Sequence, residues 1–128
     1  MIKQVITTAL APQAIGTYSQ AIKVGNIIYF SGQIGLQPET GEMSGNGFKE
    51  QLIQIIANLK AIANAAGGDL SHIVKITVYV TNLTNFPIIN EVMEVMWPKP
   101  FPARAAIEVS GLPKEALVEV DAIMHLSS

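Results

Sequence analysis

The sequence predicts an α+β protein of one domain, 1–128, with two helices packed on one face of a six-stranded mixed sheet. Three features of the chain point to it. Stretches with period-two alternation of apolar side chains are interrupted by two stretches with helical spacing, in the order strands, helix, strand, helix, strands, which layers helices against a sheet. The chain has 128 residues, 49% hydrophobic and 14% charged, the make-up of a single domain with its own core. No repeat, low-complexity tract or linker divides it, and the Gly-rich stretch "ETGEMSGNG" at 39–47 is long enough only for a loop.

The first element is a strand within "IKQVIT", where apolar and polar residues alternate. The same stretch mimics a secretion signal, because Lys3 precedes an apolar run ending Ala9-Leu10-Ala11, but Gln4, Thr7 and Thr8 interrupt that run. "SQAIKV-GN-IIYFSGQI" forms two strands joined at Gly25-Asn26, a two-residue hairpin turn. From Phe48 apolar residues recur at Leu52, Ile55, Ile56, Leu59, Ile62, Ala63 and Ala66, the buried stripe of a helix. Asn46 is its expected N-cap, and Gly67-Gly68 its left-handed stop. In the next strand His72, Val74, Ile76, Val78 and Val80 share one face, while Lys75, Thr77, Tyr79 and Thr81 share the other. The second helix has Asn85 as cap, Pro87 in its first turn, and Ile89, Val92, Met93 and Met96 on one side; Trp97-Pro98 ends it. Strands at 103–109 and 117–125 complete the sheet.

Side-chain parity sorts these strands into faces. Val118, Val120, Ala122 and Met124 are expected to meet the helices, leaving Glu119 and Asp121 on the other face. By the same rule Ala105, Ile107 and Val109 point to the helices, and Arg104, Ala106 and Glu108 away. In the hairpin Ile28, Phe30 and Ile34 form the core set, with Tyr29, Ser31 and Gln33 opposite. Ser31, Arg104 and Glu119 are therefore expected on one uncovered face, beside Ala21, Ala106, Tyr29 and Tyr79. That face is too apolar for a wetted surface, and its natural cover is another copy of the chain, with a pocket at the seam.

Composition excludes several function classes. Cysteine is absent, so there is no disulfide scaffold, thiolate metal site or cysteine nucleophile. The formal charge is −2 and the basic residues are scattered, so nucleic acid is not an expected partner. No apolar run has the length of a membrane span, and a soluble cytoplasmic protein is the default expectation. His72 and His125 lack a metal-ligand spacing, and no metal is expected. "GGDLS" is a helix stop rather than a phosphate loop, and Met93, Met96 and Trp97 read as core packing.

One residue stands apart. "FPARAAIEVSGLP" holds the chain's single arginine, Arg104. A lone strand arginine is ordinarily a surface group or half of a structural ion pair, for which Glu108 and Glu119 are available. The alternative is a planar clamp on a ligand carboxylate, which lysine cannot imitate. Buried without a partner it would cost about 3–5 kcal/mol, so a partner, internal or bound, is required.

"FPARAAIEVSGLPKEALVEVDAI" resembles the C-terminal signature of the Rid (YjgF) family of reactive intermediate deaminases, in its RidA subfamily. "IGTYSQAIKVGNIIYFSGQIG", "NLKAIANAAGGDLSHIVKITVYVTNL" and "NFPIIN" resemble the family's other blocks in the same order, so the likeness covers nearly the whole chain. The resemblance implies a chorismate-mutase-like fold of the bacillus type, a homotrimer with sites between subunits, and no cofactor. It implies hydrolysis of enamines and imines, such as 2-aminoacrylate and 2-iminopropanoate that leak from pyridoxal-phosphate dehydratases, to 2-oxo acids and ammonia. By the same resemblance Arg104 anchors the substrate carboxylate and Glu119 positions the attacking water. Tyr18, Ser31, Gly32, Asn90 and the backbone around Ala106 line the pocket. Departures from the commoner pattern are Thr17 for proline, Ala106 for a cysteine found in some members, and Val120 for isoleucine or methionine; none alters a charge expected to act. Two rival readings use the same cleft or family: a non-catalytic 2-oxo acid sensor, and a ribonuclease-type translation inhibitor.

Overall fold

The computed structural model describes residues 2–127. Its strands are β1 (Gln4–Ile6), β2 (Ala21–Val24), β3 (Ile27–Gln33), β4 (Ile73–Val80), β5 (Ala103–Glu108) and β6 (Val118–His125). The helices are α1 (Phe48–Ala65) and α2 (Phe86–Met96). They form the expected α+β layer: a six-stranded sheet of order β1-β2-β3-β6-β4-β5, antiparallel except for β4 and β5, which run parallel. A parallel pair needs a crossover, and α2 is that crossover. Among the described residues no helix is long and apolar enough to cross a membrane.

The core lies between helices and sheet. From α1 it takes Phe48, Leu52, Ile55, Ile56, Leu59, Ile62 and Ala63, from α2 Ile89, Val92 and Met93, and from β6 the expected Val118, Val120, Ala122 and Met124. The N-cap of α1 is Gly47 rather than Asn46. Glu50 reaches back so that its Oε1 accepts the Gly47 N–H at 3.2 Å, which fixes the helix start one residue later than the Asn side chain suggests. At the other end Gly67 takes φ +94°, Gly68 N–H donates to Ala63 O at 2.9 Å and Gly67 N–H to Asn64 O at 3.1 Å. This paired closure leaves the left-handed residue to Gly67 alone.

Three parity expectations are overturned, each by a local feature of the strand. In β4 a bulge lies between Ile73, paired with Met124, and Lys75, paired with Ile123. Ile73 turns inward, Val74 is half exposed, and His72 falls in the preceding 3-10 turn, where its Nδ1 accepts the Asp69 N–H. From Ile76 onward β4 alternates as expected. In β3 a second bulge separates Phe30, paired with Ala122, from Gln33, paired with Val120. The extra residue puts Gln33 on the core side, buried, and releases Ile34 to the cleft. Ala21, opposite Phe30, is likewise in the core rather than on the uncovered face.

The third correction matters most for function. In the parallel β4–β5 pair Ile76 lies opposite Arg104, Val78 opposite Ala106 and Val80 opposite Glu108. Since Ile76, Val78 and Val80 face the helices, so do Arg104, Ala106 and Glu108, while Ala105 and Ile107 turn to the uncovered side. β5 is an edge strand, and its apolar residues are not sorted by burial: Ile107, expected by parity to point to the helices, is 46% exposed.

Candidate functional site

Two clefts contain the candidate site residues singled out in the sequence, except Ala106. The first, of about 580 Å³, is built around Glu119 on β6 and the β3 bulge; Tyr18, Ser31 and Gly32 line it together with Ile15, Ile34 and Lys114. Ser31 pins the chain before β2 to the bulge: its Oγ donates to Ser19 O at 2.6 Å and its N–H to Gln20 O at 3.0 Å, which brings Tyr18 to the rim. Gln20 folds the N-terminal segment over the same side. Its buried amide accepts the Thr8 N–H at 2.7 Å and donates to Pro12 O at 2.7 Å. Gly32 has a steric role. A Cβ there would stand 2.2 Å from Glu119 Oε2 and 2.9 Å from its Cδ, so the glutamate lies against a backbone that only glycine leaves open.

The far wall of this cleft is held from α1. Gln51 Nε2 donates to Gly45 O at 3.0 Å and its Oε1 accepts the Leu117 N–H at 2.8 Å, one residue before β6. Asn58 Nδ2 donates to Leu36 O at 3.0 Å. Sequence reasoning did not single out these two buried amides, although their signal is readable: polar residues seven apart within the buried stripe of α1. Lys114 and Glu115 occupy left-handed backbone at φ 55° and 57°, in the turn that launches β6.

Electrostatically this cleft holds a carboxylate that resists ionisation. Burial, and next the charge of Asp121 two residues on, push the Glu119 carboxyl above the ordinary glutamate value. Tyr79 lies opposite Glu119 on β4, and its hydroxyl donates to Asp121 Oδ2 at 2.9 Å. That hydrogen bond, then burial and the two acidic charges, push the Tyr79 phenol upward.

The second cleft, of about 370 Å³, lies on the helix side at the edge of the sheet, lined by Asn90, Met93, Glu94, Phe101, Pro102 and Arg104. Arg104 Nη1 donates to Asn90 Oδ1 at 2.9 Å, its guanidinium carbon sits 5.1 Å from the centre of the Phe86 ring, and Met93 Sδ lies 3.7 Å from Nη1. Neither expected ion-pair partner holds it. Glu108 accepts the Leu83 N–H at 2.9 Å and Glu119 is on the opposite face; among the described residues the one ion pair is Lys49–Glu91. Among the described residues Arg104 therefore keeps guanidinium donors that no carboxylate takes.

The expectation that Ser31, Arg104 and Glu119 share one face does not hold. Tyr18, Ser31, Gly32 and Glu119 come together; Arg104 and Asn90 come together, with Ala106 two residues along the same face of β5. The two groups lie on opposite faces of the sheet, on strands separated by β4. One chain thus presents a planar cation without an ion-pair partner and a carboxylate with a raised affinity for protons in two separate clefts.

The sequence profile described as Endoribonuclease L-PSP matches residues 8–126. A RutC family protein of Pyrococcus abyssi is 50% identical over 125 residues, covering 98% of each chain. A 2-iminobutanoate/2-iminopropanoate deaminase of Dermatophagoides farinae is 44% identical over 122 residues, covering 95% of each. The crystal structure of RidA from the Antarctic bacterium Psychrobacter sp. superposes with a TM-score of 0.93 at 50% identity, covering 96% of this chain and 99% of that one.

Proposed function

The chain belongs to the Endoribonuclease L-PSP (YjgF/RidA) family, whose relatives include imine deaminases, and from that premise we propose that it hydrolyses small 2-imino acids and their enamines to 2-oxo acids and ammonia. The observation that carries this reading is the pair of complementary half-sites on one chain: Arg104 with no carboxylate partner, and Glu119 with a raised affinity for protons. A second copy placed against the uncovered face, in a closed homotrimer, joins the Arg104 cleft of one subunit to the Glu119 cleft of the next. Exposed Tyr29 and Ile107 on that face support such a cover.

In the joined site Arg104 grips the substrate carboxylate with two parallel hydrogen bonds, held in plane by Asn90 and Phe86. An enamine first gains a proton at its terminal carbon and loses one from its nitrogen, becoming the tautomeric imine. Glu119 takes a proton from water as the oxygen bonds to the imine carbon, and passes it to nitrogen, giving a carbinolamine. The hydroxyl proton of that intermediate then goes to Glu119 and on to the nitrogen as the C–N bond breaks. Ammonia leaves and the 2-oxo acid remains. Tyr18 and Ser31 border the water's approach, and the Ile15 and Ile34 side of the cleft faces the substrate's alkyl end. The sequence of steps uses water alone as co-reactant. On this reading the protein works in the cytoplasm, beside the dehydratases that release such imines.

The test uses two variants. Arg104→Ala and Glu119→Gln are each expected to abolish ammonia release from freshly generated 2-aminoacrylate. Refolded together as an equal mixture, they should recover about a quarter of wild-type activity, because a seam between unlike subunits can carry both intact groups. A wild-type protein inert toward 2-aminoacrylate rejects the deaminase, a stable Arg104→Ala protein with full activity rejects the carboxylate clamp, and a mixture as inactive as its parents rejects the shared site.

A further inference from the structure

The uncovered face of β6 carries a second acid that the mechanism above does not use. Asp121 lies two residues beyond Glu119 on the same face, about 6–7 Å along the strand. We propose that Asp121, anchored by Tyr79, is a positioning residue of the deaminase site that acts through its neighbour Glu119. The inference rests on the deaminase reading for the role of Glu119, and on geometry for the rest.

Tyr79 stands directly across from Glu119, yet its hydroxyl passes that residue and donates diagonally to Asp121. Asp121 therefore accepts a hydrogen bond, whereas the Glu119 side chain accepts none among the described residues. Two like charges on one face of a strand disfavour double ionisation, and the proton falls to the carboxylate with no donor. Burial does most to raise the Glu119 carboxyl and the Asp121 charge adds to it; the other groups facing Glu119 do not. From β3 they are the uncharged Ser31 and Gly32, and from the segment before β2 the phenol of Tyr18. From the turn before β6 comes Lys114, a cation that acts in the opposite direction. A base that must take a proton from water and return it to nitrogen works best when its affinity lies near the operating pH, and the Asp121 charge moves Glu119 that way.

Asp121→Asn keeps the size of the side chain and its acceptor for Tyr79 while removing the charge. The acid limb of kcat/KM is expected to move to lower pH, with the plateau kcat about three- to tenfold lower and KM little changed. Asp121→Glu should return the limb toward wild type. An unmoved limb in folded Asp121→Asn overturns the inference, and so does an Asp121→Glu protein that behaves like the asparagine variant. If Asp121→Asn does not fold, carbon NMR of labelled glutamate carboxyls in wild type and Asp121→Ser decides. Glu119 should titrate lower in the variant, and a titration that is the same in both proteins, as burial alone would give, overturns the inference. Because that measurement needs no turnover, a wild-type protein inert toward 2-aminoacrylate would reject the deaminase reading without touching it.

Discussion

The Arg104 and Glu119 clefts hold their charges by opposite means. Arg104 is held by side chains: α2 offers an amide oxygen at 2.9 Å, a thioether and an aromatic face, and the guanidinium is tethered by attraction. Glu119 is held by shape, lying where the β3 bulge and the bare Gly32 leave room, with a like charge behind it and no donor of its own. On the proposed reading, attraction suits a group that must stay charged and wait for an anion. Confinement suits a group that must gain and lose a proton, because any strong hydrogen bond to its ionised form would weaken it as a base.

That contrast is open to direct attack. The largest effect is expected at Gly32. Gly32→Ala must push the Glu119 carboxylate aside, and kcat should fall about a hundredfold with KM near wild type, since a displacement of about 1 Å is enough. A kcat within twofold of wild type would mean that confinement is not what places Glu119. A smaller, opposite signature is expected in the other cleft. Asn90→Ala leaves the cation in place but loosens it, so KM should rise about tenfold while kcat changes little. Were kcat to fall instead, Asn90 would touch the reacting atoms rather than steady the clamp.

The smallest effect sharpens the electrostatic side. Glu119 binds its proton more tightly in the folded protein than in the unfolded chain. Its contribution to stability is thus present below the unfolded value and lost as pH rises through the folded one. At neutral pH the ionised glutamate is a liability, so Glu119→Gln should raise Tm slightly there while removing activity, and the gain should vanish in acid. A variant with lowered Tm at neutral pH would show that the carboxylate contributes to the fold after all.

What could be read from the sequence followed the strength of periodicity. The α1 stripe, the Gly25-Asn26 hairpin and the inward row of β6 repeat often enough, with large side chains, that no other assignment buries them. β5 does not. Of its six residues three are alanines, it borders only one strand, and its largest apolar side chain is left half in solvent, so hydrophobicity pointed Arg104 to the wrong face. The bulges are a second kind of failure, because one inserted residue inverts parity without changing composition; this is how Gln33 and Val74 were misplaced. The glycine in the interior of β3 was the available sign. The family's motifs picked out Tyr18, Ser31, Gly32, Asn90, Arg104 and Glu119, all of which line a cleft, but not their division between two clefts, since parity assigns a face and says nothing about which neighbours cover it.

Placing the two charges on opposite sides of a single sheet has a genetic consequence. On the proposed reading every polypeptide completes its sibling rather than itself. A freshly translated copy would stay dormant until it meets others, and dilution would silence the catalyst before unfolding it. An allele damaged in only one cleft would spoil one seam of a mixed ring and still lend its intact side to the next.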